Sequence, residues 1–148
     1  MADNDLVFLG PPKFNLQLES IPVRQEVVIE PRGIRNLRPR AGEPEFLEDQ
    51  FLPGPDFNGV THGLISLTPG PSGRGHMLIL GGNGGADTLA AAQWLTEPWR
   101  ATELVSHLRT SSNSLPDYYQ LVLRVEFRHG TPVESSYVFH RNLGNPPR

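Results

Sequence analysis

Residues 77–80, Met-Leu-Ile-Leu, are apolar at every position and run directly into Gly81-Gly82-Asn83-Gly84-Gly85 and an alanine-rich stretch. A run with no polar face suits a strand covered on both sides, so it belongs inside a sheet with layers above and below it. Four glycines in five residues cannot extend that strand or start a helix early. They make a bend, and the alanines beyond it start a helix. The chain is therefore expected to be α/β or α+β, with this strand as its pivot.

The helix should cover about Ala86 to Thr96. At 100° per residue, Ala86, Leu89, Ala90, Ala91, Ala92, Trp94 and Leu95 spread around its whole circumference, so close packing on all sides is expected. Pro98 opens a second helix, where Ala101, Leu104, Val105 and Leu108 form one stripe and Trp99 falls opposite. Strand periodicity then takes over. Tyr119, Leu121, Leu123, Val125 and Phe127 share one face, and Val133, Ser135, Tyr137 and Phe139 share one face of the next strand. Setting Phe127 against Val133 and Leu123 against Tyr137 needs a loop of odd length, which predicts three or five residues with Gly130 at positive φ. Strand 76–81, two helices and strand 118–128 thus form a β-α-α-β crossover.

Upstream, Leu6-Val7-Phe8-Leu9 reads as a strand stopped by Gly10-Pro11-Pro12, and residues 13–20 have weak helical character. Val27–Ile29 and Ile34–Leu37 form a hairpin around Pro31-Arg32-Gly33. From Pro39 to Asn58 an ordered loop is expected, pinned by Phe46, Phe51 and Phe57, and residues 63–67 make a further strand. The result is a mixed β-sheet with hairpins at both ends of the chain and helices on one face or both. Residues 1–143 form one domain, and 144–148, Gly-Asn-Pro-Pro-Arg, a flexible tail.

Composition narrows the chemistry. Without cysteine there is no disulfide, thiolate nucleophile or sulfur-bound zinc. A net charge of −3 leaves nucleic acid dependent on a local basic patch; Arg32, Arg35, Arg38 and Arg40 supply one, but Glu43, Glu45, Glu48 and Asp49 follow at once, so nucleic acid is not an expected partner. Lys13 is the only lysine among thirteen basic residues, a bias that fits a GC-rich genome. No apolar run approaches the ~20 residues of a membrane helix and the first residues are acidic, so a cytoplasmic protein with no membrane partner is expected.

The strand-to-helix bend is the strongest candidate site. Amides at a helix start beyond a strand's carboxyl end can receive an oxyanion or a polar group. The dinucleotide fingerprint fails, because Asp87 stands at its last position when it is read from Gly82, and no G-K-[ST] marks a phosphate loop. Asp87 would also repel phosphate, which favours a hydroxyl, amine or amide ligand. The expected ligand-binding residues are Gly81, Gly82, Asn83, Gly84, Gly85 and Asp87. If the first strand runs parallel beside strand 76–81, Lys13 and Asn15 face them across a crevice. The alternative is that the glycines only permit a tight turn.

The five histidines, His62, His76, His107, His129 and His140, lack metal-ligand spacing, and Ser66 and Ser72 lack the neighbours of a nucleophile elbow, so no metal, cofactor or catalytic residue is assigned. Glu19, Glu26 and Asp56 are carboxylates whose pairing sequence does not fix. Trp99 is a candidate anchor for a partner protein or a second copy of the chain, or else packs beneath the loop carrying Phe46 and Phe51.

The run Leu6 to Asn15, followed by Leu78-Ile79-Leu80-Gly81-Gly82 and Ala90-Ala91-Ala92-Gln93-Trp94-Leu95-Thr96, resembles an uncharacterised bacterial α/β domain often found C-terminal to winged-helix or other signalling modules. That resemblance implies a regulatory role and no activity. The sequence departs from the pattern in its five-residue Gly/Asn bend and in having no attached DNA-binding region. Three readings follow: a non-catalytic sensory or regulatory domain binding a small polar ligand at the bend; an interaction or oligomerisation module using a hairpin edge and Trp99; and a hydrolase or transferase using His62 or His76 with an acidic partner.

Overall fold

The structure, a computed structural model, describes residues 5–10, 25–70 and 75–144. Lys13, Asn15, the weak helix at 13–20 and tail residues 145–148 lie outside the described residues. The elements are β1 (Leu6–Leu9), β2 (Val27–Glu30), β3 (Gly33–Asn36), β4 (Phe46–Glu48), β5 (Gln50–Phe51), β6 (Gly59–Pro69), β7 (His76–Gly81), α1 (Gly85–Thr96), α2 (Pro98–Leu108), β8 (Tyr118–Arg128) and β9 (Thr131–Gly144).

The main sheet has the order β1-β7-β6-β8-β9, with β5 added to β6, and β2-β3-β4 form a second, smaller sheet. β7 is parallel to β1 and antiparallel to β6, which places the apolar run between two neighbours. β8 is antiparallel to β6, so β7 and β8 point the same way with β6 between them, and α1 and α2 make the crossover. This is a mixed sheet with both expected hairpins, β2-β3 and β8-β9.

Both helices lie on one face of the main sheet. There Ala90, Ala91, Trp94, Leu104 and Leu108 pack on Ile65, Leu80, Leu121, Leu123 and Val125. The small sheet covers the other face, where Val27 and Ile34 meet Leu64, Val122 and Phe139. Close packing all round α1 is not what forms: its inner stripe is buried, while Leu89 stays half exposed. One wall of sheet and one neighbouring helix cannot surround a whole cylinder.

The β8-β9 hairpin differs from expectation in an instructive way. Its turn is the two-residue His129-Gly130, both at positive φ (51° and 74°), with Arg128 opposite Thr131. The odd residue sits in the strand instead: the turn leaves Phe127 against Pro132, and a register shift between Phe127 and Glu126 passes over Val133, after which Leu123 meets Tyr137 as the apolar pattern requires. A bulge and an odd loop solve the same phase problem. A further shift beyond Leu123 pairs Phe139 with Val122, which moves Phe139 off the face of Ser135 and Tyr137 and into the core under the small sheet. β9 carries three such shifts in fourteen residues, and no strand among the described residues pairs with its outer edge.

Candidate functional site

Where β7 ends, its glycines permit contacts that a side chain would block. A Cβ on Gly81 would stand 2.6 Å from the Gly10 carbonyl oxygen, so the two strand exits run against each other. A Cβ on Gly82 would stand 2.6 Å from an Asp87 carboxylate oxygen and closer still to the His62 carbonyl. Gly84, in extended conformation, then starts α1. β1 and β7 are thus parallel neighbours, the condition set for the proposed crevice, although Lys13 and Asn15 themselves are outside the described residues.

Asp87, in the first turn of α1, turns back over the bend. Its Oδ2 accepts from the Gly84 N–H at 3.0 Å and from the Thr61 hydroxyl at 2.9 Å, and the Thr88 hydroxyl lies 3.3 Å from Oδ1. The residue is fully buried, and burial pushes its carboxyl up to about 6, aided by the charge of Asp49; the three donors pull the other way but do not prevail. Asn83 points away from solvent as well. Its amide donates to the Glu30 carbonyl at 2.6 Å and to Asp49 Oδ2 at 3.3 Å.

Asp49 completes the cluster from the segment joining β4 to β5. Its Oδ1 lies 3.1 Å from the His62 amide nitrogen and 3.2 Å from His62 Nδ1. An ionised Asp49 only accepts, which places the imidazole proton on Nδ1. Five of the expected residues, Gly81, Gly82, Asn83, Gly84 and Asp87, therefore meet at one polar knot around the buried Asp87, with the half-buried Asn83 at its edge and the exposed Gly84 and Gly85 at its rim. Sequence reading missed Asp49 and Thr61. Asp49 is the last of an acidic run, and nothing in its spacing points to the interior.

The His62–Asp49 pair has the geometry of an oriented base, but its surroundings are closed. None of the four described cavities is lined by His62, Asp49 or Asp87. His76 pairs with Asp5 at 3.1 Å on an exposed surface. A general base needs a substrate proton within reach, and neither histidine lines any of the four described cavities.

A second region lies at the start of β6. Residues 51–57 form an exposed promontory closed by the Leu52 N–H to the Asn58 carbonyl at 2.9 Å. It is tied to the β8-β9 turn by the Gly130 N–H to the Phe57 carbonyl at 3.0 Å and by the His129 N–H to Asn58 Oδ1 at 3.0 Å. Phe51 and Phe57 stack with ring centroids 5.8 Å apart, and the buried Phe127 lies 5.2 Å from Phe57. The aromatic rings order this segment, as expected, yet Phe51 and Phe57 remain at the surface because they pack on each other and on one core ring. Beside them opens a depression of about 360 Å³ whose floor includes Val60 and Phe127 and whose rim carries Gln50, Asn58, Glu126 and Arg128.

Trp99 stands on the other side of the same turn, exposed and not beneath the loop of Phe46 and Phe51. Arg100 covers its ring at 3.9 Å and reaches the buried Trp94 ring at 5.0 Å. A smaller depression of about 180 Å³ there is lined by Trp99, Pro132, Val133 and Glu134 among others.

No family model matches the chain, and comparison with curated proteins and with solved structures finds no significant match. Among the described residues no helix is long and apolar enough to cross a membrane, and no group of three or more His, Asp or Glu side chains has the arrangement of a metal site.

Proposed function

We propose that this domain is a non-catalytic interaction module whose partner surface surrounds the β8-β9 turn. The observation that carries the proposal is the company around that turn: Phe51 (59% exposed), Leu52 (62%), Phe57 (58%), Val133 (56%) and Trp99 (60%). Single exposed apolar side chains are ordinary on a soluble surface. Five large ones around one two-residue turn, two of them stacked phenylalanines and one a tryptophan, form the aromatic-rich centre typical of binding hot spots. Glu126, Arg128, Glu134 and Arg100 provide a polar rim of both signs. A regulatory role fits such a module, with the output lying in what it binds. The rival reading, a small polar ligand at the bend, has less support because the Gly84 N–H, the Asn83 amide and the Asp87 carboxylate are already engaged inside the protein.

Photo-crosslinking tests this. A photoreactive phenylalanine at position 57 is expected to capture a discrete partner, or a second copy of the chain, that the same group at Leu89 on α1 does not. With the captured partner purified, Trp99→Ala or Phe57→Ser should weaken binding by tenfold or more, whereas Leu89→Ser leaves it unchanged. Equal capture at positions 57 and 89, or binding indifferent to both turn variants, would overturn the reading.

A further inference from the structure

The promontory is rooted in the buried polar knot. Asp49 immediately precedes β5; its backbone N–H donates to the Arg32 carbonyl at 2.8 Å, and its side chain, only 2% exposed, is held by His62 and Asn83. The groups facing Asp87 are Asp49 from the segment before β5, Thr61 and His62 from β6, Asn83 and Gly84 from the bend, and Thr88 from α1. Among the described residues no lysine or arginine side chain is hydrogen bonded to either carboxylate. The knot therefore encloses two acids and one imidazole.

We infer that the Asp49–His62–Asn83–Asp87 knot is a proton-operated clamp on the root of the 51–57 promontory, closed in acid and loosened as the medium is brought up to neutrality. With Asp87 protonated, the enclosure holds one carboxylate beside one histidine, and its hydroxyl and amide contacts survive. Ionising Asp87 adds a like charge beside Asp49, two side chains that are both almost wholly buried, and the segment carrying Asp49 can relieve that charge by moving away. The direction follows from burial first and from Asp49 second: in the closed state Asp87 is raised from its ordinary 3.8 to about 6. A raised carboxyl stabilises the closed form fully below its ordinary value, and that contribution is lost as pH rises through about 6.

Control of partner binding by this clamp rests on the interaction reading above, but the clamp does not, and amide hydrogen exchange on the isolated protein reports the clamp alone. After correction for intrinsic exchange, protection at the Asp49 and His62 amides should fall by up to about tenfold between pH 5 and pH 8. Asp87→Asn, which keeps the shape without the charge, should shrink the change in protection between pH 5 and pH 8. In case that variant folds poorly, carbon-13 titration of the Asp87 carboxyl in the unmodified protein provides a second measurement, with an expected midpoint near 6. A flat profile in the unmodified protein, a slope undiminished by Asp87→Asn, or an Asp87 carboxyl that titrates at its ordinary value would overturn the clamp and leave the partner surface untouched. Failure of the crosslinking experiment would leave the exchange profile as it is.

Discussion

The two faces of the main sheet are covered by different means. Under the helices the contact is mostly apolar, with two buried polar links, Trp94 Nε1–H to the Ser135 hydroxyl at 2.8 Å and the Thr61 hydroxyl to Asp87 at 2.9 Å. Under the small sheet the apolar set is shorter, and three polar side chains of 2% exposure or less, Asn36, Gln120 and Arg141, lie among it. The difference follows from the covering element. A helix satisfies its own backbone and needs only an apolar stripe, whereas strands of three or four residues bury little area and leave amides to be paired. Gln120 performs that pairing for β2: Oε1 accepts the Glu26 and Val27 N–H groups, both at 3.0 Å, and Nε2 donates to the Val27 carbonyl at 2.9 Å. Arg141 does so for the loop after β3, clasping both oxygens of Glu43 and donating to the Arg38 carbonyl at 3.2 Å.

The sharpest way to break this contrast is to damage each face once. Trp94→Ala should cost about 3–5 kcal/mol, as large cavities do, and Arg141→Met about 2–4 kcal/mol at pH 7 because it leaves the half-buried Glu43 carboxylate with only the Asn36 amide and the Arg40 N–H. Their pH dependence should separate them in urea unfolding. The hydrogen bond from Arg141, ahead of the lesser donors, holds Glu43 at about 2 where 4.5 is usual. A depressed carboxyl stabilises above its ordinary value and loses that contribution as pH falls toward the lowered one. The Arg141→Met penalty should therefore shrink from pH 5 to pH 3 while the Trp94→Ala penalty holds. Equal pH response in both variants would mean that the two faces are held alike.

A smaller effect is expected at Gln120. Gln120→Leu keeps the bulk but leaves the Glu26 and Val27 amides unpaired, at about 1–3 kcal/mol by thermal or chemical unfolding. The smallest lies on the outer side of α1, where Leu89→Gln should stay within about 0.5 kcal/mol, because the helix layer draws its stability from the inner stripe alone. A large loss at Leu89 would assign that side chain a covering partner.

The residues readable in advance were those whose pattern is local. The bounds of β7 and β8 and the start of α2 follow from an unbroken apolar run, period-two alternation and a proline, and they stand where the sequence puts them. Phe139 was misplaced because a bulge changes the phase of a strand without leaving a mark in composition. Arg141 looked like any basic residue in an alternating strand; only the loop that wraps it, some hundred residues earlier in the chain, makes it interior. The bend was legible as a bend, since glycines announce close approach, but not its contents: Thr61, His62 and Asp49 reach it through β6 and a connecting segment that no spacing links to Asp87. Exposure of Phe51 and Phe57 was equally hidden, because rings that order a segment need not be covered by it.

The bulges of β9 have one more effect. A fourteen-residue border with evenly spaced amides would be a ruler on which another extended chain could lie down, and then another. Displaced three times, this border offers no straight length for such copying, so sheet growth ends at β9 and association must be chosen by side chains rather than by backbone.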